Sequence, residues 1–233
     1  MFTDSSDIYD LVYSFKDYAK ESDEIIQSIK SKNSTCKSIL DVGCGTSEHH
    51  KYLSKYFTID GLDLNEKFIK ISKQKNLQGN YFVENMIDFN LNKQYDVITC
   101  LFSSIGYLET TDEIVSALKC FSNHLKPDGL IIVEPWFTKE NWHNGKIGML
   151  TYDKENIKIC RINKSYLADD FSILNFEYLV GTMEHKIQYF KEEHKLRLTS
   201  KEEMISAFEL ANLDVTFDQQ GLIGRGMYYG IKK

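Results

Sequence analysis

The chain has 233 residues, 42% hydrophobic and 27% charged, with mean hydropathy −0.37. That is the balance of one large folded domain, or of a domain carrying an insert, and it excludes a collagen, a coiled coil or a disordered chain. No window approaches the run of about 18 apolar residues that a spanning helix needs, and a net charge of −6 argues against a nucleic-acid surface, so neither a membrane nor a nucleic acid is expected as partner.

The first half alternates strand and helix patterns. Ser38–Val42 is a short apolar run ending at glycines, and residues 47–56 read as helical. Thr58–Asp63 is strand-like. Residues 65–75 have helical spacing, with Asn65 as the cap. Tyr81–Val83 and residues 95–101 are a third and a fourth strand. Residues 111–125 form an amphipathic helix, starting at Thr111 or Asp112, and residues 129–134 are a fifth strand. This alternation predicts an α/β fold with a parallel sheet covered on both faces. After Pro135 the pattern changes. Residues 147–198 read as successive strands, with turns near 153–156 and 169–170. A helix capped by Thr199 or Ser200 and two strands, near 213–218 and 225–231, complete the chain. The expected organisation is a core of residues 1–137 and 199–233, interrupted by an antiparallel β insert over 138–198. The insert holds 10 Lys and Arg against 9 Asp and Glu, and the remainder 18 against 25. An anionic ligand therefore meets less repulsion on the insert side.

The sharpest motif runs from Ile39 to Ser47: a strand, a glycine turn and a helix. Gly43 and Gly45 let the backbone pass close to a ligand, and the helix start offers free N–H groups. A dinucleotide fingerprint needs a third glycine at position 48, where Glu48 stands. A carboxylate facing a pyrophosphate is unfavourable, so a ligand bearing a carboxylate and an ammonium but no phosphate fits better, with Asp41 to receive the ammonium. Asp63 ends the second strand, where a carboxylate accepts both hydroxyls of a ribose.

These residues resemble the class I S-adenosylmethionine-dependent methyltransferases. Asp41-Val-Gly-Cys-Gly-Thr46 looks like their first motif, Asp63 like their ribose-binding acid, and Glu84-Asn-Met86 sits where that class contacts the adenine amine. A narrower set of blocks resembles the nucleotide-sugar N,N-dimethyltransferases, which methylate the amino group of a dTDP-3-amino-3,6-dideoxyhexose: Tyr9–Val12 with Lys16-Asp-Tyr18, Leu101–Leu108, Val133–Phe137 and Gly224–Met227. The resemblance implies a Rossmann-like fold and S-adenosylmethionine as cofactor. It places cofactor contacts at Tyr9, Tyr18, Asp41, Gly43, Cys44 and Gly45, and further ones at Asp63, Leu64, Asn85, Met86 and Leu101. Phe102 falls on the substrate side. This chain departs from the pattern at Ser47 (usually a third glycine), at Asn85 (usually an acid) and at Phe137 (usually a second Trp).

The expected substrate is a nucleotide sugar, made for an antibiotic or a surface polysaccharide. Methylation of another small molecule at O or N is the alternative, and a non-catalytic module with the same fold is a third reading, weakened by the retention of Asp63 and the glycine turn. A base-methylating enzyme is disfavoured because Leu101-Phe-Ser-Ser104 is not the Asn/Asp-Pro-Pro-aromatic loop. Tyr107, after the fourth strand, and His194, in the insert, are the candidate catalytic pair. Trp136, Phe137 and Trp142 are candidates for an aromatic wall. Arg161 and Arg225 are candidates for the diphosphate, since guanidinium forks suit phosphate oxygens. The six His show no ligand spacing and no metal is expected. His49 and His50 read as surface or cofactor-edge residues pointing apart. The five cysteines contain no C-x-x-C, and Met1–Asp10 carries three Asp and no Lys or Arg. Reduced thiols in a cytoplasmic protein, with a homodimer left open, are the expectation.

Overall fold

The computed structural model describes residues 2–76 and 78–232. A 3₁₀ turn at Asp4–Ile8 leads into α1 (Tyr9–Val12) and α2 (Tyr18–Lys32). Asp17 caps α2 by accepting from the Lys20 N–H at 3.0 Å. Ile25, Ile26 and Ile29 form its buried stripe. The βα core follows as β1 (Ser38–Val42), α3 (His50–Leu53), β2 (Thr58–Asp63), α4 (Glu66–Lys75), β3 (Tyr81–Val83), β4 (Tyr95–Cys100), α5 (Thr111–Asn123) and β5 (Leu125–Val133). The insert is an antiparallel meander of β6 (Ile147–Lys154), β7 (Ile157–Ala168), β8 (Phe171–Thr182) and β9 (Gln188–Arg197). The chain then returns through α6 (Lys201–Leu210), β10 (Leu213–Asp218) and β11 (Met227–Lys232).

Seven strands form the main sheet in the order β10-β11-β5-β4-β1-β2-β3, and the four insert strands form a second sheet. β1 pairs parallel with both β2 and β4, so the strand order reverses direction there. β11 runs antiparallel to β5. Every residue of β1 is buried, because the sheet is covered on both faces. Leu40, Val42, Ile98 and Val133 pack under α5 and α6, while Ile39, Ile59, Val97 and Ile132 pack under α2 and α3. A third cluster joins Tyr9, Val12 and Tyr13 to the insert's Ile159, Phe176, Tyr178 and Val180. The α/β fold with an antiparallel insert after the fifth strand is therefore as the sequence implies.

Four local expectations need correction. Within residues 47–56 only His50–Leu53 is α-helical, because Ser47 adopts the left-handed φ of +61° that breaks the first turn. Helix α5 starts at Thr111 as expected, capped by Thr110 in a capping box with Glu113, but it ends at Asn123 rather than at 125. β5 begins at Leu125, with a shift of register against β4 between Tyr95 and Val97 that accommodates Asp128 at φ +58°. β11 begins at Met227, which leaves Arg225 in the loop before it.

Candidate functional site

The carboxyl ends of β1, β2, β3, β4 and β5 open into one cavity of about 690 Å³ whose far wall is the insert. This is the crevice where the strand order reverses, the usual ligand site of open parallel sheets. Gly43 forms the turn after β1 at φ +69°, and a Cβ there would lie 2.6 Å from Ser104 Cβ. Gly45, at φ +54°, has nothing within 4 Å of a built Cβ and leaves open space beside the loop. Asp63 locks this loop. Its Oδ2 accepts from the Gly45 N–H at 2.9 Å, and its Oδ1 accepts from the Asn65 N–H at 2.8 Å. Burial raises the Asp63 carboxyl above its ordinary value, against these two backbone donors.

Asp41 sits deeper, with both oxygens engaged: Oδ1 accepts from Thr99 Oγ1 at 2.7 Å and Oδ2 from His50 Nε2 at 3.0 Å. A carboxylate only accepts, so the Asp41-facing nitrogen carries the His50 proton and His50 Nδ1 receives the Tyr81 hydroxyl at 2.9 Å. His49 meets Glu21 at 2.9 Å. Both histidines point apart as expected and both are buried; His49 lies at the cavity edge, one of the two expected places, whereas His50 does not line the cavity. Cys44 lines the cavity, but burial and the nearby Asp63 and Asp41 push its thiol well above its usual value, so it is no nucleophile at neutral pH.

The cavity brings together all but two of the site residues singled out from sequence. Tyr9, Tyr18, Leu64, Asn85, Met86 and Leu101 line it with the glycine loop, and Phe102, Trp136, Arg161 and Arg225 line it with Tyr107 and His194. Asn85 Oδ1 accepts from the Ile87 N–H at 3.1 Å. Phe137 and Trp142 are the exceptions. Phe137 packs edge-on against Trp136 and Trp142 at 4.8 and 5.7 Å, and neither Phe137 nor Trp142 lines the wall. The Arg225 guanidinium lies 5.3 Å from the Trp136 ring, 5.7 Å from Phe137 and 5.9 Å from Phe102. Arg161 donates to Tyr13 Oη at 3.2 Å and lies 4.6 Å from the Phe176 ring. The Nε of both arginines is buried without a hydrogen-bond partner.

Tyr107 and His194, separated by 87 positions, meet at 2.7 Å between Oη and Nδ1. His194 is 1% exposed, not a solvated strand residue. Burial lowers its pKa, against the opposing pull of Glu192. Tyr107 is pushed well above its usual value, by burial first and then by Tyr13, Asp63 and Glu192.

Glu134 and Glu192 carry a share of the site that sequence reasoning missed. Glu134, 2% exposed, accepts from Arg225 Nη2 at 2.7 Å and from the Phe102 N–H at 2.7 Å. Phe102 holds φ +50°, an uncommon conformation for a bulky residue, and that bond helps to hold it. Phe2 and Tyr13, also missed, add rings to the cavity wall. Glu192 follows the β9 alternation that buries His194 and Leu196, and that phase was a readable signal. Among the described residues no group of three or more His, Cys, Asp or Glu is placed to hold a metal, and no helix is long and apolar enough to cross a membrane.

Residues 39–129 match a methyltransferase-domain family model. Over 97% of its length the chain is 32% identical to a dTDP-3-amino-3,6-dideoxy-alpha-D-glucopyranose N,N-dimethyltransferase of Streptomyces fradiae, of which 90% is covered. The crystal structure of DesVI from Streptomyces venezuelae superposes with a TM-score of 0.93 at 29% identity, covering 100% of both chains. The S-adenosylmethionine-bound CalS10, an amino pentose methyltransferase from Micromonospora echinaspora, superposes with a TM-score of 0.88 at 25% identity, over 100% of this chain and 98% of that one. Fold, site and full-length similarity agree: the chain belongs to the S-adenosylmethionine-dependent nucleotide-sugar N,N-dimethyltransferases.

Proposed function

We propose that the cavity binds S-adenosylmethionine against the glycine loop and that the enzyme methylates the amino group of a dTDP-linked 3-amino-3,6-dideoxyhexose held between that loop and the insert. The observation that carries this reading is the convergence of Tyr107, from the 3₁₀ turn after β4, and His194, from β9 of the insert, on a cavity floored by Asp63 and the Gly43–Gly45 turn. The residues fit the cofactor: a side chain at Gly43 would strike Ser104, Gly45 leaves space for a ligand, and Asp63 is held by two backbone donors at the strand end. When bound, the cofactor supplies an electrophilic methyl group.

The chain's own contribution is positioning. An amine attacks only when neutral, and an aligned neutral amine needs little further help. The aromatic rings from the N-terminal segment and the insert keep the cavity largely apolar, which favours the uncharged amine. The Tyr107 hydroxyl orients the amine, and the neutral His194 behind it is available as proton acceptor. Arg225 and Arg161 would meet the diphosphate. Their unpartnered Nε groups support that role, although Glu134 already offsets part of the Arg225 charge. The test is mass spectrometry of products after incubation with S-adenosylmethionine and a panel of dTDP-amino sugars, free amines and phenols. Methyl gain confined to dTDP-amino sugars supports the reading. Gain on a phenol or an unrelated amine, with the sugars unchanged, moves it to another small molecule.

A further inference from the structure

We propose that Glu192 is a positioning residue that fixes the tautomer of His194 and thereby the direction of the Tyr107 hydroxyl. The inference rests on the reading that the cavity receives an amine. Glu192 lies two residues before His194 on the same face of β9, is 6% exposed and does not line the cavity. Its Oε1 accepts from the Thr3 N–H at 2.7 Å and the Ser5 N–H at 3.0 Å, and its Oε2 accepts from Ser5 Oγ at 2.6 Å. The same Oε2 faces His194 Nε2 at 3.6 Å.

Burial pushes the Glu192 carboxyl up, but the bonds from Ser5 and Thr3, with the His194 ring facing it at 3.6 Å and making no hydrogen bond through Nε2, outweigh it and hold it at about 2. It is therefore a carboxylate under all working conditions, and a carboxylate only accepts. The nitrogen that faces it carries the ring proton, as in other carboxylate–histidine pairs. A neutral imidazole has one N–H, so Nδ1 is left as acceptor and Tyr107 must donate to it across their 2.7 Å contact. The remaining lone pairs of the Tyr107 oxygen then face the cavity, suited to accept an N–H from an amine. The opposite tautomer would place an N–H of Nδ1 against the Tyr107 oxygen and turn the phenol hydrogen toward the substrate. There it would hydrogen-bond the amine lone pair that forms the new bond.

The same array gives a proton path. Once the amine nitrogen becomes cationic, its proton passes to the Tyr107 oxygen as the Tyr107 proton passes to Nδ1. The resulting imidazolium keeps its Nε2 proton and faces the Glu192 carboxylate. The other groups around His194 favour the neutral ring. Burial, the Arg161 cation on β7 and the rings of Phe2 and Phe176 at 4.3 and 4.9 Å surround it, while Glu193 and Lys195 flank it on β9 and Tyr178 lies on β8.

The experiment is nitrogen-15 NMR of histidine-labelled full-length protein, paired with kinetics of Glu192→Gln. In the parent, His194 is expected neutral with its proton on Nε2. In Glu192→Gln the side-chain amide can donate to Nε2, and the proton is expected on Nδ1. The variant should lose roughly 10- to 100-fold in kcat, with both KM values changed by less than about threefold, because only the orientation of a reacting group is altered. In a Tyr107→Phe background the same change should cost less than about twofold, since Glu192 would have nothing left to orient. A purely structural Glu192 would slow both backgrounds alike, and that result overturns the proposal. So does a parent spectrum with the proton on Nδ1, a reading that needs no variant to fold. Failure of every amino sugar as substrate would remove the functional reading but leave the tautomer assignment standing.

Discussion

The two walls of the cavity are built in different ways. The sheet wall is a backbone device. The Gly43 and Cys44 N–H groups donate to the Leu62 carbonyl at 2.8 and 3.0 Å, and Asp63 accepts from two further backbone N–H groups. The wall facing it is a side-chain device. Arg161 with Tyr13, His194 with Tyr107 and Glu192 with Ser5 are pairs drawn from segments more than 80 positions apart. Backbone geometry is dictated by a short local motif, so one wall can serve any ligand with the same adenosyl part. Side-chain pairs are replaceable one at a time, so under the proposed function the other wall would choose the acceptor.

Breaking that second wall should have the largest effects. Glu134→Ala strands the Arg225 cation among three aromatic rings and frees Phe102 from the bond that offsets its strained φ. Urea unfolding should show a loss of about 3–5 kcal/mol, the scale of a buried pair deprived of one partner. A loss below about 1 kcal/mol would mean that the pair is solvent-screened. Next comes Tyr107→Phe, which removes the hydroxyl at 2.7 Å from His194. It should lower kcat by roughly 100-fold with cofactor affinity unchanged, as read by steady-state rates beside calorimetry.

The sheet wall responds differently. Asp63→Ala should weaken S-adenosylhomocysteine binding by about 1.5–3 kcal/mol through lost charged hydrogen bonds, while affinity for the dTDP-amino sugar changes little. Equal cofactor affinity in variant and parent would show that Asp63 only braces the loop. Arg225→Lys sharpens the same contrast from the other side. It keeps a cation for Glu134 but loses the fork, so kcat/KM for the sugar should fall by about 1–2 kcal/mol with cofactor binding intact.

The smallest effect is on pH. The carboxyl of Glu192 is depressed from 4.5 to about 2 by the facing His194 ring and by its bonds from Ser5 and Thr3. Its contribution to stability is complete above pH 4.5 and is lost as the pH falls toward 2. The pKa of His194 is lowered from 6.5 by burial, so folding loses support on the acid side of 6.5, as the unfolded chain binds the proton first. The protection factors of the Thr3 and Ser5 amides, with the intrinsic pH dependence of exchange divided out, should therefore fall below pH 4.5 and stay flat between 7 and 8. Protection lost on the alkaline side would contradict the assignment.

The two walls were also unequally legible. β1, β2 and β3, the Asn65 cap and the glycine turn follow from local patterns, and the structure places them at the expected residues. The insert's alternation was readable too: Phe176, Tyr178 and Val180 are buried, whereas Leu179 is half exposed. Pairings were not readable, because nothing near Glu134 in sequence points to Arg225, 91 positions later. Helix α2 went unassigned, although Ile25, Ile26 and Ile29 carry helical spacing behind the Asp17 cap. Phe137 shows the opposite error. It follows a wall residue in sequence, but the successive side chain packs with Trp142 instead.

The most direct test of a cofactor wall facing an acceptor wall is a crystal structure with S-adenosylhomocysteine and a dTDP-3-amino-3,6-dideoxyhexose bound together. The account predicts the adenosyl ribose on Asp63, the diphosphate near Arg225, and the sugar nitrogen at about 2.6–3.2 Å from Tyr107 Oη, the reach of a direct hydrogen bond. A sugar bound with its nitrogen turned away from Tyr107, leaving the Tyr107–His194 pair untouched, would contradict it.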